Sequence, residues 1–428
     1  MLTRQQPTLI KTILFTILFV IFVTPHSFYV GGQGISGNYL FVFFPLLMYI
    51  YSKQFERPKL EVIVFMILLF CMFTIALIYQ SEYIVHYIRR FASFIVFMSI
   101  FAFMFVKIDS NMIRSFKYAM VIFSLYTAIS VLINYIDLGG AELRTYAKGA
   151  VGSTRIGFIY VFALWIVYFF DSRTMLLIII KHVVAIIIII GLLLTYSRAS
   201  LFALTASVCV YFVVTTLVVI KEGKSFYQLL LKISLSAAYI VGLVIILGSM
   251  FPNVISQGDR MIYKYIAPSE SSVTNTTKLD NTTNTTKANV YTSRLVREYT
   301  DKDTSLGYRV YVANQAINFV FENPFTGSGF LGVWIMFDEI KGSAHSQFID
   351  VFFRLGFIGF FIYMFFTYKI MRFLYLKDLG LFVGFIGMLS YGLFHETFKL
   401  SHGAFVFAFL FAMYDQYRYS FNKLKHSQ

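Results

Sequence analysis

Three polar residues in an otherwise oily chain have the types to do chemistry together. They are Arg198 in TYSRAS, Arg309 in YRVYVANQAINFVFENPFTGSGF and His345 in AHSQFIDVFFRLGFIGFF. A guanidinium offers forked donors that match phosphate oxygens. An imidazole near its ordinary pKa can take a proton from a hydroxyl nucleophile. Each residue also has a plainer role. Arg198 can snorkel to lipid phosphate or cap a helix end. Arg309 can be a surface arginine and His345 a structural membrane-edge histidine. Arg309 is expected to open a helix, where the macrodipole disfavours a cation; a phosphate docked there would meet both the guanidinium and free amides.

Further polar residues accompany these three. Asp350 and Arg354 stand four apart and can neutralise each other on one helix face. The run HETFKLSH supplies His395, Glu396, Lys399 and His402, either as a solvated loop or as the lining of the same cavity. Arg144, Lys148 and Arg155 make another loop basic, and Arg89 and Arg90 a third. These are candidate contacts for an anionic ligand. The seven histidines show no zinc spacing, and there is no nucleophile elbow or Walker sequence, so no metal or cofactor is expected. The GSG at 327–329 lacks the context of a phosphate loop and reads as a flexible bend.

The elements that must position these residues are membrane helices. Of 428 residues, 58% are hydrophobic and 13% charged, against about 45–50% and about 25% in soluble proteins. A hydrocarbon core of about 30 Å needs roughly 20 helical residues. About 12 apolar runs qualify, centred near 10–24, 38–52, 60–79, 91–107, 118–136, 156–171, 175–196, 199–220, 228–250, 346–367, 378–394 and 403–416. The expected fold is an all-α polytopic membrane protein. Lys181 and His182 suggest that the seventh run starts after them. The net charge of +15 is a matter of orientation. Alternate short loops and the two termini carry eighteen Lys/Arg, from Arg4 and Lys11 to Lys423 and Lys425, and the opposite short loops carry seven. That asymmetry puts both termini in the cytoplasm and argues against a nucleic-acid partner. Cys71 and Cys209 lie inside apolar runs, so no disulfide framework is expected.

One outer loop differs from the rest. It runs from 251 to 344 with nine basic and nine acidic residues. Its middle, SESSVTNTTKLDNTTNTTKANVYTSR, holds too little apolar material for a core. From Arg309, apolar Val310, Ala313, Ile317 and Val320/Phe321 recur at helical offsets. Pro324 ends this amphipathic helix, which has a polar side and is expected to lie along the outer interface. The chain thus divides into N-terminal transmembrane helices (1–182), core helices carrying the Ser-Arg hairpin (183–250), the large outer loop (251–344) and C-terminal helices (345–428).

TYSRAS at an outer helix end, YRVYVANQAINFVFENPFTGSGF in a large outer loop and AHSQFIDVFFRLGFIGFF opening the next span occur in that order. Together, over about Val183 to Phe366, they resemble the bacterial O-antigen polymerase and O-antigen ligase superfamily. The resemblance implies metal-independent glycosyl transfer at the periplasmic face of the inner membrane, from a glycan on undecaprenyl pyrophosphate. It implies that Arg198 and Arg309 hold the pyrophosphate and that His345 activates the acceptor hydroxyl, with Arg155, Arg144, Lys148, Arg89, Arg90, His395 and Glu396 as accessory substrate contacts. Expected partners are the undecaprenyl-pyrophosphate-linked oligosaccharide, membrane lipid and a chain-length regulator protein. The chain departs from the family near Arg354, where members often carry an acidic residue two before the glycine. Three activities compete: a polymerase joining repeat units, a ligase moving glycan to lipid A–core or another acceptor, and a flippase or transporter of the same lipid. The large outer loop and the absence of obvious broken-helix repeats oppose transport. A polymerase must hold two lipid pyrophosphates, and the surplus outer cations favour it over a ligase.

Overall fold

The structure, a computed structural model, describes residues 108–137, 153–221 except 173 and 196, 305–329, 333–336, 344–397 and 401–425, with two short strands and scattered helical positions within 9–17 and 60–78. The strands, β1 (Ser27–Val30) and β2 (Gln33–Ser36), pair antiparallel with Val30 opposite Gln33. The all-α expectation therefore needs one correction. In the sequence, the pair Gly31-Gly32 is a hairpin signal, because glycine pairs suit two-residue hairpin turns.

The remaining described chain is helical: α1 (Ser110–Asp137), α2 (Ser153–Tyr168), α3 (Met175–Leu194), α4 (Arg198–Lys221), α5 (Ser305–Glu322), a 3₁₀ turn at Val333–Met336, α6 (Gln347–Lys377), α7 (Leu379–Gly392) and α8 (Ser401–Lys425). Among the described residues, α1, α3, α4 and α6 are long and apolar enough to cross a membrane, while α2 and α7 are shorter apolar helices. The expected runs at 38–52, 91–107 and 228–250 lie outside the described residues. The chain forms two compact units, residues 1–211 with 315–428, and residues 212–314.

In the first unit, burial sorts the helices by composition. Helix α3 is Ile-rich on every face, and Met175 and Leu176 are 71% and 67% exposed. Such a surface suits lipid, where an outward isoleucine costs nothing. The helix starts ahead of Lys181 and His182, not after them, because Thr174 caps it by accepting from the Leu177 N–H at 3.4 Å. Helices α2, α7 and α8 form the interior, and α8 is buried continuously from Gly403 to Asp415. Glycines let α2 and α7 approach closely: a Cβ on Gly387 would sit 2.5 Å from Val161 Cγ1, and one on Gly384 3.1 Å from the Phe162 ring. Trp165 donates to Ser207 Oγ at 2.8 Å, tying α2 to α4. Phe116 stacks on Phe409 at 4.1 Å, tying α1 to α8.

At one end of the bundle Lys117 pairs with Asp378, which also caps α7 through the Leu381 N–H at 3.1 Å. At that end the Ile108 N–H donates to Gln416 Oε1 at 2.6 Å. The other end gathers the Thr195–Arg198 hairpin, the start of α6 and the end of α7.

Helix α6 is interrupted. Gly356 takes φ 62, ψ −166, a region essentially reserved for glycine. In an intact helix Phe357 N–H would donate to Phe353 O. Here Phe357 N–H donates to Pro324 O at 2.8 Å, and Phe353 O accepts from Ser328 N–H at 2.7 Å. The segment 323–329 thus replaces the broken bond with two of its own. Unpaired backbone groups at membrane depth cost several kcal/mol each, so a break survives only where protein re-pairs it. Gly327 (φ 56) is part of the fit, since a Cβ there would meet Phe353 O at 2.3 Å. Ser328 is fully buried, and Phe319 packs on Phe353 at 5.0 Å. The GSG segment is therefore wedged against α6 and is not a free bend, and Gly356 serves this interlock instead of general helix packing. Gly356→Ala is expected to cost about 1–3 kcal/mol of strain alone, seen as a lowered Tm in detergent; an unchanged Tm would contradict the interlock.

Candidate active site

The polar end of the first unit is built from four segments. The first is the hairpin between α3 and α4. Thr195 closes α3, its hydroxyl donating to Leu192 O at 2.6 Å. Ser197 then caps α4, its Oγ accepting from the Ser200 N–H at 3.3 Å. A serine cap of this kind contributes about 1 kcal/mol. Arg198 is the first residue of α4; its side chain lies outside the described residues. Two single-residue caps separated by one tyrosine explain how the chain reverses with almost no loop.

The second segment is the end of α7. Gly157 of α2 leaves room for Ser200 and Tyr391: a Cβ there would meet Ser200 Oγ at 1.9 Å and Tyr391 Cε2 at 2.8 Å. The Tyr391 ring stacks on His395 at 4.9 Å, and Phe394 packs edge-on against Phe202 at 5.0 Å. The start of α4, carrying Arg198, therefore shares its packing neighbourhood with His395.

The third segment opens α6. His345 has φ 48, the only described non-glycine residue with positive φ. Ser346 follows in extended backbone and its carbonyl accepts the Asp350 N–H at 2.9 Å, starting the helix. Arg354 Nε donates to Asp350 Oδ2 at 2.8 Å, and Asp350 is 4% exposed. The ion pair read from the spacing is present, with the Glu396 carboxylate close enough to add to the field at Arg354. The arginine that breaks the family pattern is thus paired with Asp350.

The fourth segment is 395–397, and it is not a solvated loop. Glu396 is 9% and Thr397 2% exposed. Glu396 Oε1 accepts the Ala344 N–H at 2.9 Å, and Thr397 Oγ1 donates to Gln347 Oε1 at 3.3 Å. Helix α8 supports this segment from behind, where a Cβ on Gly403 would lie 2.0 Å from Thr397 O.

The structure therefore brings together the Arg198 helix start, His345, Asp350, Arg354, His395 and Glu396. Arg309 belongs to the second unit. It is half-buried and is the fifth residue of α5, which begins at Ser305. It does not open that helix, so the expected opposition to the macrodipole falls away. The buried positions of α5 are Val312, Ala316 and Val320, so the apolar stripe is rotated from the expected one. Arg89, Arg90, Arg144 and Lys148 lie outside the described residues, as do the side chains of Arg155 and His402. Among the described residues no cluster of His, Cys, Asp or Glu could hold a metal. Tyr391, Gln347 and Thr397 escaped the sequence reading, because nothing in their local spacing marks them.

Buried helices α2, α7 and α8, apolar helices long enough to cross a membrane and a polar end with a histidine turn define a polytopic membrane protein with a candidate reaction site among the described residues. A family described as O-antigen ligase matches residues 183–364. That match bears out the resemblance to the O-antigen polymerase and ligase superfamily, and it spans the hairpin, α5, the interlock and the first half of α6. The family is one of membrane glycosyltransferase-like enzymes and implies a lipid-linked glycan substrate. Comparison with curated proteins gives no match.

Proposed function

We propose that the protein is a polysaccharide polymerase, transferring glycan from one undecaprenyl-pyrophosphate-linked oligosaccharide to another at the periplasmic face of the inner membrane. The observation that supports this most is the segment 391–397, which packs near the Arg198 helix start through Tyr391 and holds the His345 turn through Glu396. The acceptor hydroxyl oxygen attacks the anomeric carbon, and its proton passes to His345. The bond from that carbon to the pyrophosphate oxygen breaks, and the leaving pyrophosphate keeps the electron pair. Fixed guanidinium groups, Arg198 and Arg309, stabilise that departing charge. Attack opposite the leaving group inverts the anomeric centre. Arg89, Arg90, Arg144, Lys148 and Arg155 supply the cations a second lipid pyrophosphate requires, and His395 lies near enough to Arg198's helix to join the donor site.

The ligase reading is favoured by the description of the matching family. The transport reading gains from the break in α6, since discontinuous helices are common in transporters. At that break, however, the chain's own backbone re-pairs the Phe357 N–H and the Phe353 carbonyl. A deletion strain separates polymerase from ligase. Loss of the polymerase leaves single repeat units on lipid A–core. Long chains accumulating on the undecaprenyl carrier, with none on lipid A–core, would establish a ligase instead.

A further inference from the structure

The segment Glu396-Thr397 touches the chain on both sides of His345. Glu396 Oε1 accepts the Ala344 N–H at 2.9 Å, one residue before the histidine, and Thr397 Oγ1 donates to Gln347 Oε1 at 3.3 Å, two residues after it. Between these contacts His345 holds φ 48. Left-handed backbone costs a non-glycine residue free energy and persists where the surroundings over-determine it. The surroundings here are firm. Glu396 and Thr397 are buried, Gly392 brings α7 to within contact of Gln347, and Gly403 brings α8 onto the Thr397 carbonyl. A carboxylate taken out of water would be costly if it served only to fill space. The Ala344 amide, and the attraction Glu396 exerts on the Arg354 charge, offset part of that cost.

We infer that Glu396, assisted by Thr397, is a positioning residue: its carboxylate oxygen grips the Ala344 amide and fixes the strained turn that aims the His345 imidazole. This replaces the expectation that Glu396 touches substrate. The inference rests on the reading of His345 as the base. For the turn, what Glu396 supplies is an acceptor oxygen at the Ala344 amide, so glutamine, which keeps a carbonyl oxygen there, should hold the turn, and alanine should not.

The test uses the full-length protein in detergent with lipid-linked repeat units, and it reads amide exchange as well as turnover. In Glu396→Ala the peptide containing Ala344 should exchange at least about tenfold faster. Its kcat should fall about 10²-fold, the cost of a misplacement near 1 Å, with KM for the donor held within about twofold because the donor contacts are elsewhere. Glu396→Gln should restore the protection and most of the kcat. Unchanged exchange in Glu396→Ala overturns the inference whatever the activity. A glutamine variant that keeps the protection but is as inactive as alanine also overturns it, because Glu396 would then act through its charge. Faster exchange with normal kcat removes the link to catalysis; if His345→Ala is then also fully active, the failure lies with the assignment of the base. Should Glu396→Ala not be recovered folded, Thr397→Val takes the same two readings. It should loosen the turn and lower kcat several-fold, and wild-type values for both contradict the clamp.

Discussion

His345→Ala is expected to form new glycosidic bonds about 10²–10⁴-fold more slowly than the wild type while binding the lipid-linked donor as tightly. The imidazole is assigned to the acceptor hydroxyl, so its loss removes proton transfer and leaves the pyrophosphate contacts alone. Its backbone supports this division. The residue occupies a strained turn at the mouth of α6, held by Glu396 on one side and the first turn of the helix on the other. Binding is measured with labelled donor and turnover with acceptor present. If donor affinity falls in proportion to turnover, His345 is a pyrophosphate ligand. The base must then be sought among its neighbours, beginning with His395.

Arg198→Ala and Arg309→Ala should each lose roughly 30–1000-fold in turnover, equivalent to about 2–4 kcal/mol of transition-state stabilisation in a partly dry site. Lysine should restore little at either position, because a point charge cannot reproduce two parallel hydrogen bonds to phosphate. For Arg198 the local structure sharpens the expectation. The residue follows directly on a serine cap and precedes by two the Ser200 that packs against Gly157, so the position of its backbone is well fixed. A guanidinium that only snorkelled to lipid would tolerate lysine or alanine, and chain lengths would stay normal at normal protein level. That result would remove Arg198 from the site.

The helices were legible where hydropathy alone decides them. Runs at 175–196 and 199–220 became α3 and α4 with ends shifted by one or two residues, and the run at 118–136 became α1, which starts eight residues earlier at Ser110; an apolar stretch of span length has few other fates. Caps fix two starts where the apolar runs begin: Thr174 starts α3 ahead of Lys181 and His182, and Asp378 starts α7. The break in α6 was illegible because RLGFIGFF reads as one oily run. What opens the helix is the segment 323–329, which replaces the missing bond from outside. The start of α5 was misplaced because Ser305, Leu306 and Gly307 carry no apolar period, and so Arg309 was put at an end it does not occupy. In the site, the residue types of Arg198 and His345 stood out because charge and imidazole are rare in oily sequence. The segment around Glu396 did not, since a polar run between two apolar ones looks the same whether it faces water or grips a neighbouring turn. Only the tertiary contact of Glu396 with Ala344 distinguishes the two.

Incubation of the purified protein in detergent with lipid-linked repeat units alone, and no other enzyme or metal, tests the central claim most directly. The account predicts products of two or more repeats on one carrier, release of undecaprenyl pyrophosphate in equal amount, and an inverted anomeric centre at each new linkage. Full recovery of single-repeat lipid with no new glycosidic bond, from protein shown to bind that lipid, would contradict it and leave the chain a carrier of the lipid instead of a polymerase.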